Sequence, residues 1–209
     1  MIYEIRTYEL RAGTTGMWAK RFEDGLPARE KFSKLGGFWT TEIGQLNTVV
    51  HLWPYEDMKH RDEVRTAAAK DTSGTWPPKG DDCIISMQSD IILPSPFMRP
   101  LGASVQELGG VYELRVYTYQ NGAAPKVIKA WSPVVGNREQ FSPLVLSGFS
   151  ETGGLNKWYH LWPYKDLAER VRVRAEASKA NIGWPAPTSE WVQHQQNWIM
   201  IPASFSPLR

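Results

Sequence analysis

A pentapeptide that occurs twice constrains this chain more than any other feature. His-Leu-Trp-Pro-Tyr occupies 51–55 and, 109 residues later, 160–164. Further identities at the same spacing are Tyr3/Tyr112, Glu4/Glu113, Arg6/Arg115, Tyr8/Tyr117, Arg29/Arg138 and Asp57/Asp166. A period this long indicates a duplicated domain, because solenoid repeats run about 20–50 residues. We therefore predict one domain over 1–95, a linker over 96–110 and a second domain over 111–209.

Each copy has the pattern of a ferredoxin-like unit. Residues 2–9 alternate as a strand does, and Trp18, Phe22 and Leu26 follow at helical spacing. A strand pair, a helix beginning at Asp57 and a last strand complete the order β-α-β-β-α-β. The fold class is α+β, with tandem ferredoxin-like domains.

Prolines predict where the first helix of each copy ends. Pro27 in the first copy and Pro133 in the second predict a break or kink, because proline lacks the amide donor. A short second helical piece is predicted over 29–35.

Composition excludes several classes of protein. The net charge is +2 with scattered basic residues, which predicts no nucleic-acid partner. No apolar run is long enough to span a membrane. Glu4 and Arg6 stand in the first strand pattern, which predicts no signal peptide and hence a cytoplasmic protein. A single cysteine, Cys83, excludes an intrachain disulfide and a thiolate metal cluster.

The repeated strings resemble the signature of NIPSNAP domains. They are His-Leu-Trp-Pro-Tyr-x-Asp, two arginines four residues apart, a later tryptophan, and the opening Tyr-Glu-hydrophobic-Arg-x-Tyr. The resemblance implies a dimeric α+β barrel-type assembly, here with both sheets in one chain, and further homodimerisation. Bacterial members generally lack an assigned reaction. Eukaryotic relatives are mitochondrial, and we do not expect that role here because no Arg- and Ser-rich leader is present.

Strand alternation groups the polar residues of each copy on one face. Glu4, Arg6 and Tyr8 share a face of the first strand, and His51 and Trp53 share a face of the third. The second cluster consists of Glu113, Arg115, Tyr117, His160 and Trp162. We expect both faces to line the barrel interior, with helices covering Ile5, Val50 and Leu52. The prediction is a ligand pocket in which arginine binds an oxygen pair and histidine exchanges a proton.

Structural roles for the same residues stay open. His51 and His160 are candidate catalytic residues, or they hydrogen-bond within the barrel. The Glu–Arg pairs bind a ligand, or they form a buried ion-pair network. The arginine pairs Arg61/Arg65 and Arg170/Arg174 are predicted to be charges on a helix face rather than a substrate clamp.

Cofactor motifs are absent from the sequence. There is no HExxH and no second metal ligand near either histidine, so we predict no metal and no cofactor. Some relatives of the barrel bind haem, which keeps ligation by a strand histidine as an alternative.

Two functions follow from these patterns. The first is binding of a small apolar or aromatic molecule in the barrel, with a cofactor-independent oxidation or isomerisation as the chemistry. The alternative is a non-catalytic structural or interaction protein whose barrel core is filled.

Overall fold

The computed structural model describes residues 1–72, 76–101 and 104–209, which form two copies of one motif. The elements of the first copy are β1 (Ile2–Leu10), α1 (Thr15–Arg29), β2 (Gly37–Ile43), β3 (Thr48–Tyr55), α2 (Met58–Lys70) and β4 (Ile84–Pro94). Those of the second copy are β5 (Val111–Tyr119), α3 (Ala124–Trp131), α4 (Val135–Glu139), β6 (Leu146–Ser150), β7 (Lys157–Tyr164), α5 (Leu167–Lys179) and β8 (Val192–Pro202). The predicted β-α-β-β-α-β order is confirmed in both.

The two predicted proline breaks have different outcomes. In the second copy the helix stops before Pro133 and restarts as α4, as predicted. In the first copy Pro27 lies inside α1, which continues to Arg29. The prediction of a break at Pro27 and a helical piece over 29–35 is wrong, because residues 30–33 form turns. Pro27 lacks the one amide that would donate to the Glu23 carbonyl, and helical bonding continues beyond it, since the Glu30 amide donates to the Leu26 carbonyl at 2.8 Å.

Aspartates begin the second helix of each copy. The Asp57 side chain accepts a hydrogen bond from the His60 amide at 2.8 Å, and Asp166 accepts one from the Glu169 amide at 2.7 Å. Each satisfies an amide that has no partner in the first helical turn. The prediction that these helices begin at the aspartates is confirmed.

The eight strands form one closed barrel in the order β1-β3-β2-β8-β5-β7-β6-β4. Each copy supplies four adjacent strands, and the copies join where β2 pairs with β8 and β4 pairs with β6. The duplicated chain therefore closes within itself the barrel that a dimer of single copies would form. The predicted α+β class and intrachain barrel are confirmed. Homodimerisation stays a prediction.

The barrel interior is lined mainly by aliphatic side chains, with Tyr3, Trp39, Tyr112 and Tyr159 among them. Ile5, Val50 and Leu52 pack there against Leu114 and Leu161 of the other copy in one buried cluster. The cavity at its centre has a volume of about 10 Å³, too small for a ligand. The centre is therefore filled, as the non-catalytic alternative expects, and the expectation that helices cover these residues is wrong.

The polar faces lie outside the barrel, beneath the helices. Tyr8 and Trp53 belong to a buried cluster with Trp18 and Phe22 of α1, and His51 lies among the same rings. The predicted interior location is therefore wrong for Glu4, Arg6, Tyr8, His51, Trp53, Glu113, Arg115, Tyr117, His160 and Trp162. The physical reason is the volume at the barrel centre, which the aliphatic side chains together with Tyr3, Trp39 and Tyr112 already fill, so the polar face packs beneath the helices instead.

The segment after each last strand crosses to the other copy. Phe205, which follows β8, packs on Phe22 and Phe38 at ring-centroid distances of 6.0 and 4.9 Å. Phe97, which follows β4, lies 6.3 Å from Trp131. Each copy therefore completes the helix-covered core of its neighbour.

Among the described residues, no helix combines the length and apolar character needed to cross a bilayer.

Replacing Phe205 with alanine tests this exchange of segments. We expect a loss of about 2 kcal/mol of unfolding free energy, because the ring is partly buried. Hydrogen exchange should quicken in α1 and β2, although Phe205 belongs to the second copy. Phe97→Ala is the matched control and should loosen α3 and β7 instead. If either variant quickened hydrogen exchange equally in both copies, the idea that each segment completes the core of the other copy would be wrong.

Candidate functional site

A pocket lies between the outer face of the first sheet and helices α1 and α2. Its volume is about 640 Å³. The principal lining residues are Arg6, Tyr8, Phe22, Arg29, His51, Trp53, Arg65, Trp76 and Met87. We call it the first pocket.

The second copy has an equivalent pocket of about 440 Å³, which we call the second pocket. Its principal lining residues are Arg115, Tyr117, Trp131, Arg138, His160, Trp162, Arg174, Trp184 and Gln195. Each pocket thus combines three arginines with a histidine and a set of aromatic rings.

Glu4 is the buried anchor of the first pocket. Its carboxylate accepts hydrogen bonds from Arg6 at 3.0 Å, from Arg61 at 2.8 Å and from the Ser89 hydroxyl at 2.6 Å. Arg65 lies 3.8 Å away. Helix α2 is thereby joined to the sheet through a carboxylate with no solvent exposure. Glu113 repeats this arrangement with Arg115, Arg170 and Arg174.

The arginines control the ionisation of both glutamates. Burial raises the pKa of Glu4, but the hydrogen bonds from Arg61 and Ser89 and the charge of Arg6 outweigh it and lower the pKa to about 2. In the second copy burial is likewise outweighed by Arg170 and Arg115, and the pKa of Glu113 is lowered. Both carboxylates are therefore charged at neutral pH.

Arg29 is a buried cation without a carboxylate partner among the described residues. It is 3% exposed, donates to the Tyr55 hydroxyl at 3.0 Å, and lies 4.4 Å from the centroid of the Trp53 ring. Burial lowers its pKa, since desolvation disfavours the charged form. Arg138 repeats the arrangement with Tyr164 and Trp162.

The hydrogen bonding of His51 identifies its tautomer. The Trp53 indole N–H donates to His51 Nδ1 at 2.7 Å, so the ring proton of a neutral imidazole must sit on Nε2. Nε2 is buried and has no partner among the described residues. Burial, then the charge of Arg6, lower the pKa of His51 well below its ordinary value. His160 repeats this with Trp162 at 2.8 Å.

Tyr8 adds a neutral hydroxyl beside the histidine. Arg6 Nε donates to the Tyr8 oxygen at 2.7 Å, which leaves the hydroxyl proton available to an acceptor. Burial raises the pKa of Tyr8. The pocket therefore offers hydrogen-bond donors to a ligand, and its chemistry suits an oxyanion.

Ligation of haem by a strand histidine does not fit this geometry. Iron bound at Nε2 requires the ring proton on Nδ1, where the indole of Trp53 already donates. Over the described ranges, no cluster of three histidine, cysteine, aspartate or glutamate side chains is arranged to hold a metal ion.

A separate recess opens at one end of the barrel. Its volume is about 430 Å³, and it is lined by Glu9, Gln88, Asp90, Lys157 and Tyr159 among others. The Tyr159 hydroxyl donates to Asp90 at 3.0 Å, and Gln88 donates to the same carboxylate oxygen at 2.6 Å. None of the predicted site residues lines this recess.

The structure brings the predicted residues of each copy together, with the glutamates behind the others. Sequence reasoning missed Arg29 and Arg138, whose identity in both copies was a usable signal. Arg65 and Arg174, predicted to be charges on a helix face, lie on α2 and α5 and also line the pockets.

Comparisons with known proteins agree with the fold. The NIPSNAP family model matches residues 3–99 and 112–207. Human NipSnap homolog 3A is 29% identical over 218 residues, which cover 100% of this chain and 86% of that protein. Mouse NipSnap homolog 3B is 29% identical over 216 residues, covering 99% of this chain and 85% of that protein.

A solved structure described as an anthrone oxidase-like protein also matches. Its TM-score is 0.63 at 11% identity, over 99% of this chain and 93% of that one. At that identity the likeness shows the fold alone.

Replacing Glu4 with glutamine tests the anchor. We expect the free energy of unfolding to fall by about 3–5 kcal/mol at neutral pH, because several guanidinium groups lose their buried counter-charge. The depressed pKa means that the charge stabilises the wild type above about pH 4.5, and that this contribution is lost as the pH falls towards 2. As the pH falls from about 4.5 to about 2, the unfolding free energy of Glu4→Gln should therefore decrease by about 3 kcal/mol less than that of the wild type.

Chemical denaturation across this pH range measures the difference. Glu63→Gln is the control, because Glu63 is exposed and only 3.8 Å from the exposed Lys59. Its free energy of unfolding should vary with pH as that of the wild type does. A Glu4→Gln variant with the pH dependence of the wild type would refute the anchoring role.

Proposed function

The chain belongs to the NIPSNAP family, and we propose that its two outer pockets bind small organic anions without a cofactor. The ligand would have an acidic group such as a carboxylate and an apolar or aromatic body. The observation that carries this proposal is Arg29, a buried cation that lines the pocket and pairs with no carboxylate among the described residues. A buried charge costs several kcal/mol unless a counter-charge reaches it.

The charge of the first pocket favours an anion. Arg6, Arg29 and Arg65 line it, and Glu4, the carboxylate behind them, is shared with Arg61. Among the described residues that line this pocket, Asp81 is the acidic one, and it stands at the exposed rim. Positive charge therefore exceeds negative charge in the interior, and an oxyanion would receive charge-assisted hydrogen bonds.

The aromatic walls favour a flat or apolar body. The rings of Trp53 and Trp76 meet edge to face at 73°, with centroids 6.0 Å apart, and the Phe22 ring lies 5.2 Å from that of Trp76. Apolar walls with a few converging polar groups are typical of small-molecule sites.

Proton exchange by His51 receives less support. A neutral imidazole that accepts from Trp53 at Nδ1 and carries its proton on Nε2 has no free lone pair with which to act as a base. Its Nε2–H can instead donate to a ligand oxygen. The cofactor-independent oxidation or isomerisation therefore stays a prediction, and binding is the function that we propose.

The filled barrel centre is compatible with a purely structural protein. Two observations favour binding instead, namely pockets of several hundred Å³ and the Nε2 atoms of His51 and His160, which have no hydrogen-bond partner in the described part of the chain. Packed structural cores have few unsatisfied buried polar groups.

Replacing Arg29 and Arg138 with methionine tests the proposal. Titration calorimetry should detect decanoate binding to the wild type and much weaker binding of decanamide, which lacks the charge. The double variant should bind decanoate at least tenfold more weakly, the equivalent of losing one charge-assisted hydrogen bond per site. Its melting temperature without ligand should be unchanged or higher, because an uncompensated buried charge has been removed.

Arg21→Met is the control, because Arg21 forms a surface pair with Asp82 at 2.7 Å. It should bind decanoate as the wild type does. If decanamide binds as tightly as decanoate, or the double variant keeps full affinity, the proposed anion site is wrong.

A further inference from the structure

The two pockets differ in size although their charged groups are the same. The first has a volume of about 640 Å³ and the second of about 440 Å³. In the sequence repeat Trp131 occupies the position of Phe22, and each lines its own pocket. Val127 stands at the repeat position of Trp18, which lines the first pocket, so the indole has moved by one helical turn and the difference in volume does not come from an added ring.

The rims differ in polarity at matching positions. Met87 is opposite Tyr8 in the first sheet, and Gln195 is opposite Tyr117 in the second. On the covering helices, Ser178 of α5 stands at the repeat position of Ala69 of α2. An amide and a hydroxyl thus replace a thioether and a methyl group.

The loop before the last strand adds a third difference. Gly80 precedes the first residue of β4 by four positions, and Thr188 precedes that of β8 by four. Both line their pockets, but the Thr188 hydroxyl is buried and bonded to the Tyr119 hydroxyl at 3.0 Å, so a ligand does not meet it. The exposed rim positions that differ in polarity are therefore Met87 and Ala69 in the first pocket and Gln195 and Ser178 in the second.

We propose that the two pockets bind different anions. The first takes an acid with an extended apolar chain, and the second takes a smaller acid with a hydroxylated chain. This division rests on the proposed function, because the arginines of each pocket must hold the acidic group. The apolar chain would lie along β1 towards Met87, which is 61% exposed and has surface to bury. The hydroxylated chain would meet the polar groups at Ser178 and Gln195.

Pocket-filling variants at matched exposed positions test the division. Ala69 and Ser178 are both exposed residues that line a pocket, so tryptophan there occludes the opening without entering the core. By titration calorimetry, Ala69→Trp should lose decanoate affinity at least tenfold and keep gluconate binding. Ser178→Trp should do the reverse.

Exchanging the rim side chains tests the cause of the selectivity. Met87→Gln should weaken decanoate binding about fivefold, through the apolar contact that is lost. Gln195→Met should weaken gluconate binding and improve decanoate binding in the second pocket. Both positions are exposed, so the fold is retained in either variant.

The outcomes separate this division from the proposed function. If each filling variant weakens both acids equally, or the rim exchange leaves both affinities unchanged, the pockets are not specialised although they bind anions. If neither acid binds the wild type, or the double variant Ala69→Trp/Ser178→Trp binds both undiminished, the anion site itself is wrong.

Discussion

The limited interior of an eight-stranded barrel determines where chemistry can occur in this protein. The interior of a barrel of this size is just wide enough for side chains to fill it or for one small ligand. Ile5, Val50 and Leu52 and their counterparts occupy that space and leave a central cavity of about 10 Å³. The repeated polar clusters therefore lie on the outer face with Tyr8, Trp53 and their counterparts, and the helices that cover them create the pockets.

The buried glutamates then determine how those pockets are charged. Each one holds arginines from the strand and from the covering helix, so a single carboxylate orders several cations. Arg29 and Arg138 lie beyond the direct hydrogen bonds of this network, against an indole ring and a tyrosine hydroxyl. Each pocket therefore holds a preorganised excess of positive charge surrounded by aromatic rings. A bound anion would neutralise that charge.

Sequence reasoning recovered the fold because the repeat specifies it locally. The two copies of the pentapeptide predicted the two equivalent central strands, and Asp57 and Asp166 marked the following helices. The face that points inward could not be read from alternation, because Ile5 and Val50 on one face and Tyr8 and Trp53 on the other are all large hydrophobic residues. Alternation separates two faces, and only the packed volume of the closed barrel decides between them.

Part of the pocket could also be predicted from the sequence, because strand pairing brings some of its residues together. Arg6 and His51 share a face of adjacent strands, and that proximity follows from pairing. Arg29 lies at the end of a helix, and its approach to Trp53 depends on where α1 stops, which Pro27 suggested incorrectly. Sequence spacing alone does not give the angle at which a helix crosses a sheet.

Anion binding at the pocket arginines is tested most directly by a crystal structure with 10-bromodecanoate bound, in which anomalous scattering locates the bromine. We expect a carboxylate within hydrogen-bonding distance of Arg29, with the bromine between the outer face of the first sheet and its helices, towards Met87. A bromine in the recess lined by Gln88, Asp90 and Tyr159, or a carboxylate remote from every pocket arginine, would contradict it.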